Sequence, residues 1–156
     1  MGTVNIIASY LDEKDILLDV YTTSKERLFD KIGRHIALQH GIPEVHVTNA
    51  LGHREQIGST GLGEGVAIPH ARIKDLDRIV IAYLRLKMPI AFDAPDHKPV
   101  RDVLVLLVPQ QATELHLQIL ADVSQCLADR KFRELLHGCD HAMAVKQLFA
   151  SRISRI

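Results

Sequence analysis

The chain has 156 residues, 47% of them hydrophobic and 24% charged, with nineteen Lys and Arg balanced by nineteen Asp and Glu. That is the size and make-up of one ordinary globular domain, and a net charge of zero argues against a global field for nucleic acid or an anionic membrane. The longest strongly apolar run, Val103 to Val108, is far short of the ~20 residues that cross a bilayer, and the N-terminal MGTVNIIASYLDEKD lacks the basic start of a secretory signal. Cys126 and Cys139 are too few for a disulfide framework, so free thiols in a reducing cytoplasm are expected.

No repeat, low-complexity tract or flexible linker divides the chain, and residues 1–156 read as a single domain with its core at about 15–150. Residues 15–20 (DILLDV) predict a short strand. Thr23-Ser24-Lys25-Glu26 has the spacing of a capping box with Thr23 as N-cap, and the helix behind it carries Leu28, Ile32 and Ile36 before Gly41 and Pro43 end it. A shorter helix is expected from near Thr48, including Ala50, Leu51 and Arg54. Gly58-Ser59-Thr60-Gly61-Leu62-Gly63-Glu64-Gly65 holds four glycines in eight residues and must be a loop or tight turns. It leads into Val66-Ala67-Ile68-Pro69-His70, a strand whose end Pro69 marks.

Residues 78–86 and 102–108 are the clearest strands, and the second is apolar throughout, as a strand covered on both faces should be. Between them, residues 89–99 form a proline-containing connection or partial hairpin. A long helix is predicted from Thr113 to about Asp129 with a stripe of Ile119, Leu120, Val123 and Leu127, and a last one from about Ala142 to Ser151. Interleaved strands and helices predict an α/β fold, a mixed β-sheet sandwiched by helices.

Nine histidines are the unusual feature of the composition. His70 follows a strand and a proline that restricts its direction, and its imidazole can offer one nitrogen as nucleophile while the other holds a proton. A histidine in a surface turn is the competing reading. His116 falls in the first turn of its helix yet on the extended apolar stripe, which suits either a core histidine bonded to a carbonyl or a proton donor to a bound anion. Arg54 precedes the glycine loop, where a guanidinium can fork onto phosphate oxygens, although most arginines are simply solvated. The loop fits neither a Walker A sequence nor G-x-G-x-x-G, but Ser59, Thr60 and Gly61 can form an anion nest. His137-Gly138-Cys139-Asp140-His141 packs four potential metal ligands together, but without a second cluster no metal site is expected. His35, His40, His46, His53 and His97 read as surface or structural residues. A hydrolase triad lacks its nucleophile elbow.

The run from Arg54 to His70 resembles the active-site region of enzyme IIA of the fructose/mannitol class in the bacterial phosphoenolpyruvate-dependent phosphotransferase system. Pro89-Ile90-Ala91-Phe92-Asp93, Leu107-Val108-Pro109 and His116-Leu117-Gln118-Ile119-Leu120 extend the likeness over about residues 15–150. The free-standing single-domain form, with its Gly-Ser-Thr-Gly loop, is most similar to the nitrogen-regulatory branch. The resemblance departs at Ala71, where many relatives place glycine.

It implies a cytoplasmic phosphoryl carrier that receives its group on His70 Nε2 from a phosphorylated HPr-like protein, with His116 beside the group and Arg54 supporting it. Ser59, Thr60 and Gly61 are expected to hold phosphoryl oxygens, and Leu62 and Ile68 to seal the site from water. No cofactor or metal is implied. The expected partners are the HPr-like donor and either regulatory targets or a IIB domain, without nucleic acid or membrane insertion, and the protein itself is expected to be a monomer or weak dimer. A binding module that has lost transfer is the more distant alternative, at odds with the presence of all three site residues.

Overall fold

The computed structural model describes residues 3–4, 6–111 and 113–154. In chain order the elements are β1 (Thr3–Val4), α1 (Ile7–Tyr10), a 3-10 turn (Glu13–Asp15), β2 (Ile16–Val20), α2 (Lys25–His40) and α3 (Glu44–Ile57). Then follow β3 (Gly61–Gly63), β4 (Val66–Ala67), β5 (His70–Ile73), β6 (Val80–Ile90) and β7 (Val100–Pro109). The chain continues through α4 (Glu114–Ala128), α5 (Arg130–His137), α6 (Ala142–Ser151) and β8 (Ile153–Ser154), which pairs with β1.

A six-stranded mixed sheet runs β2-β6-β7-β4-β3, with β5 continuing the line of β4 along β7. β6 and β7 are antiparallel, Val80 opposite Leu107 and Ile90 opposite Val100, so residues 91–99 close a hairpin, as the prolines suggested. β2 joins β6 in parallel, and β4 and β5 join β7 in parallel. Period-two alternation sends Val103, Val105 and Leu107 to one face and Leu104, Leu106 and Val108 to the other, and all six are buried. Leu28, Phe29, Ile32, Val47 and Leu51 of α2 and α3 cover the first face. Ile119, Val123, Phe132, Val145 and Phe149 of α4 to α6 cover the second. The mixed sheet sandwiched by helices is therefore the observed architecture.

The details differ at several places. Gly61–Gly63, expected in a loop or tight turns, forms β3 against β4, where Gly61 lets the backbone pass Ala94 without a Cβ, and α1, β1 and β8 are additional to the expected elements. Ser24, not Thr23, caps α2, because its hydroxyl accepts from the Arg27 amide at 3.1 Å while Thr22 donates to the Ser24 carbonyl. α3 starts at Glu44 rather than near Thr48, since Pro43 carries the extended backbone of an N-cap and lacks only a donor the first turn does not need. The strand expected through His70 is interrupted at Ile68-Pro69, so His70 opens β5 instead of closing β4. α5 was absent from the sequence reading; Asp129 ends α4 and caps α5, accepting from the Lys131 amide, so two helices meet without a glycine or proline between them.

Candidate functional site

β5 has β7 on one side, and α3 packs along it, so the sheet opens into a cleft between α3 and the N-terminal turns of α4. That cleft holds a cavity of about 550 Å³. Ala50, His53, Arg54 and Ile57 of α3 line it, with His70, Ala71 and Arg72 of β5 and His116, Leu117 and Leu120 of α4. His70, His116 and Arg54 thus converge from three separate elements, as the sequence reading required.

Hydrogen bonding fixes the chemistry of each imidazole. His70 Nδ1 lies 2.8 Å from the Ile68 carbonyl, an acceptor only, so Nδ1 carries the proton and the Nε2 lone pair is left for the cleft. His116 is the reverse case. Its Nδ1 accepts the Thr113 amide at 3.2 Å, which closes a capping box at the start of α4, and its Nε2 must therefore be the donor. One histidine presents a lone pair to the cavity and the other an N–H.

The competing reading of His116 as a core histidine fails on exposure, since it is only half-buried. The half-buried His70 is held below the ordinary histidine value of 6.5: burial is the main cause, and the Arg54 charge outweighs the opposing pull of Glu55 while the Ile68 bond works against both. It is neutral and nucleophilic at neutral pH. Arg54 lines the cavity while donating one Nη1 bond to the carbonyl of Gly58, the C-cap of α3, at 2.9 Å.

The glycine loop does not join this group. Ser59 donates to the Phe92 carbonyl, Thr60 donates to Glu55, and the Gly61 amide is taken by the Ser59 hydroxyl. None of the three lines the cavity, because their polar atoms are committed to holding the loop. Gly61 is required there: a Cβ would stand 2.8 Å from the Ala94 Cβ. The expected seal moves as well. Ile68 is buried in the core under α4 and Leu62 lies away from the cavity, whereas Ile57 and Leu117, 83% and 64% exposed, line it. Ala71 fits without adjustment, since its methyl points from a regular strand into the core beneath α2 and α3.

Two further polar residues line the cavity, Arg72, which the sequence did not single out, and His53, which was expected to be a surface or structural residue. Arg72 follows His70 by two residues on one strand, which alone places both on one face, and His53 precedes Arg54. The residues from His137 to His141 diverge: His137 Nε2 meets buried Asp102 at 2.7 Å, while His141 pairs with Asp140. Among the described residues no group of three or more His, Cys, Asp or Glu side chains is arranged to hold a metal ion, and no helix is long and apolar enough to cross a membrane.

Residues 9–152 match the family described as "Phosphoenolpyruvate-dependent sugar phosphotransferase system, EIIA 2". The chain is similar to the "Nitrogen regulatory protein" of Escherichia coli (strain K12), 39% identical over 125 residues that cover 80% of this chain and 77% of that protein. It is 36% identical over 102 residues to the "PTS system fructose-specific EIIA component" of Haloferax volcanii, covering 65% of this chain and 66% of that one. Among solved structures, Nitrogen Regulatory Protein IIA-Ntr from Neisseria meningitidis superposes with a TM-score of 0.88 at 37% identity, covering 92% of this chain and 99% of that one. IIA mannitol from Escherichia coli, 22% identical with a TM-score of 0.74 over 89% of this chain and 98% of that one, shares the fold.

Proposed function

The chain belongs to the EIIA 2 family of the phosphoenolpyruvate-dependent sugar phosphotransferase system, and we propose that within it His70 Nε2 accepts a phosphoryl group from a phosphorylated HPr-like protein. The observation that carries this reading is the Ile68 carbonyl on His70 Nδ1, which leaves Nε2 as a neutral lone pair facing the cleft. As the new N–P bond forms at Nε2, the donor's N–P bond breaks and its imidazole leaves with the electron pair. One phosphoramidate is exchanged for another, so catalysis reduces to alignment and to compensating charge on the equatorial oxygens. His116 Nε2–H donates to one oxygen and the Arg54 fork to others. Arg72 and His53 add positive potential to a cavity whose lining holds no carboxylate. Ile57 and Leu117 close against the incoming protein and exclude the water that would hydrolyse the product.

Phosphorylation then acts as a regulatory signal. It adds roughly −1.5 to −2 charges, by analogy with other phosphorylated side chains, to a cleft rimmed by Ile57 and Leu117, and a target docked on the unmodified cleft must desolvate them. Regulatory partners therefore prefer the unmodified protein. The similarity to the nitrogen regulatory proteins favours this role, and the similarity to the fructose-specific component supports a second one, delivery of the group to a IIB domain. Incubation with phosphoenolpyruvate, enzyme I and an HPr-like protein, read by intact mass, tests the carrier reading. One acid-labile, base-stable phosphoryl group is expected on the wild type, and an unchanged mass would end that reading. A pull-down with His70→Ala and His70→Glu tests the switch: equal capture of the same regulatory partners by both refutes charge exclusion, and a IIB domain as the main partner selects the transport role.

A further inference from the structure

Glu55 is a carboxylate that the phosphoryl-transfer chemistry does not use, yet its side chain is only 7% exposed. Its charge is met by Lys25 at the start of α2, with Nζ 2.8 Å from Oε2. Its other contacts all go to one residue of the glycine loop: the Thr60 amide donates to Oε1 and Oε2 at 3.2 and 3.1 Å, and the Thr60 hydroxyl donates to Oε1 at 2.6 Å. Thr60 is itself buried, and its carbonyl accepts the Ile68 amide at 3.0 Å. The Ile68 carbonyl is the acceptor for His70 Nδ1. Because Pro69 follows, that carbonyl belongs to a tertiary amide without an N–H, and Pro69 restricts the backbone of Ile68.

We infer that Glu55 is a positioning residue for His70: through Thr60 and Ile68 it fixes the carbonyl that selects the Nδ1–H tautomer and so leaves Nε2 as the nucleophile. The path runs through four residues and needs no direct contact between the carboxylate and the imidazole. It also gives Glu55, next to Arg54 on α3, a reason to turn inward while Arg54 lines the cleft. The rest of the loop is pinned from the other side. Lys25 also pairs with Asp93 at 3.4 Å and sits 4.5 Å above the Phe92 ring, and Ser59 holds the Phe92 carbonyl. A carboxylate is suited to the post because one oxygen can take both Thr60 donors while the other takes Lys25.

The consequence of the inference for transfer rests on the proposed role of His70, but its primary readout does not. Long-range proton–nitrogen spectra of the chain labelled with ¹⁵N-histidine report which ring nitrogen of His70 is protonated. The wild type shows the Nδ1–H form alone. Glu55→Ala shows a second, Nε2–H population and accepts phosphoryl roughly 10–100-fold more slowly, the scale of a small misplacement of a reacting group. Glu55→Gln keeps an oxygen for Thr60 and retains the wild-type tautomer. A folded Glu55→Ala with an unchanged His70 spectrum overturns the inference, and so does a Glu55→Gln that behaves like Glu55→Ala. Should Glu55→Ala not fold, Glu55→Asp, one methylene shorter and so drawn back from both the Thr60 amide and hydroxyl, carries the same test: a visible Nε2–H population supports the inference and none overturns it. If the tautomers respond as expected while even the wild type takes no phosphoryl group, the carrier reading fails and the positioning role stands.

Discussion

Two parts of the molecule use histidine beside the same sheet to opposite ends. At β5, His70 rests its Nδ1 on a neutral carbonyl and turns a free Nε2 into a cavity. Across the sheet, at the start of β2, the buried Asp15 carboxylate takes His35 Nε2 at 2.8 Å and His40 Nε2 at 2.9 Å, tying the last turns of α2 to the strand. The Asp15 carboxyl sits below its ordinary value of 3.8 even though burial pushes it up, because the hydrogen bonds and charges of the two histidines outweigh the burial. A carbonyl neighbour leaves an imidazole neutral and nucleophilic. A carboxylate neighbour ties it down as a structural staple. The residue type is shared, and the acceptor behind the ring decides the chemistry.

The contrast breaks most completely at His70. His70→Ala is expected to abolish phosphoryl acceptance from the HPr-like donor while leaving the thermal melt near wild type, and label that persists at another residue would refute the assignment. Removing the facing donor is the next largest effect. His116→Ala should slow transfer ~10²–10³-fold, the range for losing one preorganised donor, with the group still found on His70 by fragmentation of the labelled protein.

At the other site the loss is stability rather than rate. Asp15→Asn removes a buried carboxylate from two histidines and should cost about 2–3 kcal/mol in urea denaturation, with transfer unaffected. Because the folded pKa of Asp15 lies below the unfolded one, its contribution is present above pH 3.8 and is lost as the pH falls through the folded value. The acid limb of the stability curve should therefore be shallower in Asp15→Asn.

Two smaller effects sharpen the picture at the cleft. Arg54→Lys should slow transfer by about tenfold, because an ammonium keeps the charge but not the planar fork, and full activity would reduce Arg54 to a point charge. The pH profile of acceptance at His70 should have its midpoint below 6.5, since burial and Arg54 favour the neutral ring. A midpoint at or above 6.5 would mean that Glu55 and the Ile68 carbonyl dominate instead.

What the sequence by itself determined follows from local rules. Unbroken apolarity marked β7 from Val103 to Val108 as a strand covered on both faces, whereas β6 buries Tyr83 and Arg85 at its centre by giving each a hydrogen-bond partner. The glycines of residues 58–65 marked tight turns, and Gly63 and Gly65 do take positive φ, but Gly61–Gly63 also form the short strand β3 against β4. Pro69 before His70 marked a constrained histidine. Together with the family likeness, these were enough to select His70, His116 and Arg54, which the fold then gathers around one cavity.

Tertiary structure alone decided the rest. The exposed apolar side chains at the cavity are Ile57 and Leu117 rather than Leu62 and Ile68, because which apolar residue faces solvent depends on what lies across the cleft. Ser59 and Thr60 were drawn away from the cavity by Phe92 and Glu55, partners 33 and 5 residues distant in sequence. The tautomer of each imidazole was set by an acceptor or donor that exists only once the backbone is folded: the Ile68 carbonyl behind His70, and the Thr113 amide behind His116. Residue type limits which bonds a ring can make, but the partner that takes its proton is a neighbour in space, and that choice belongs to the fold.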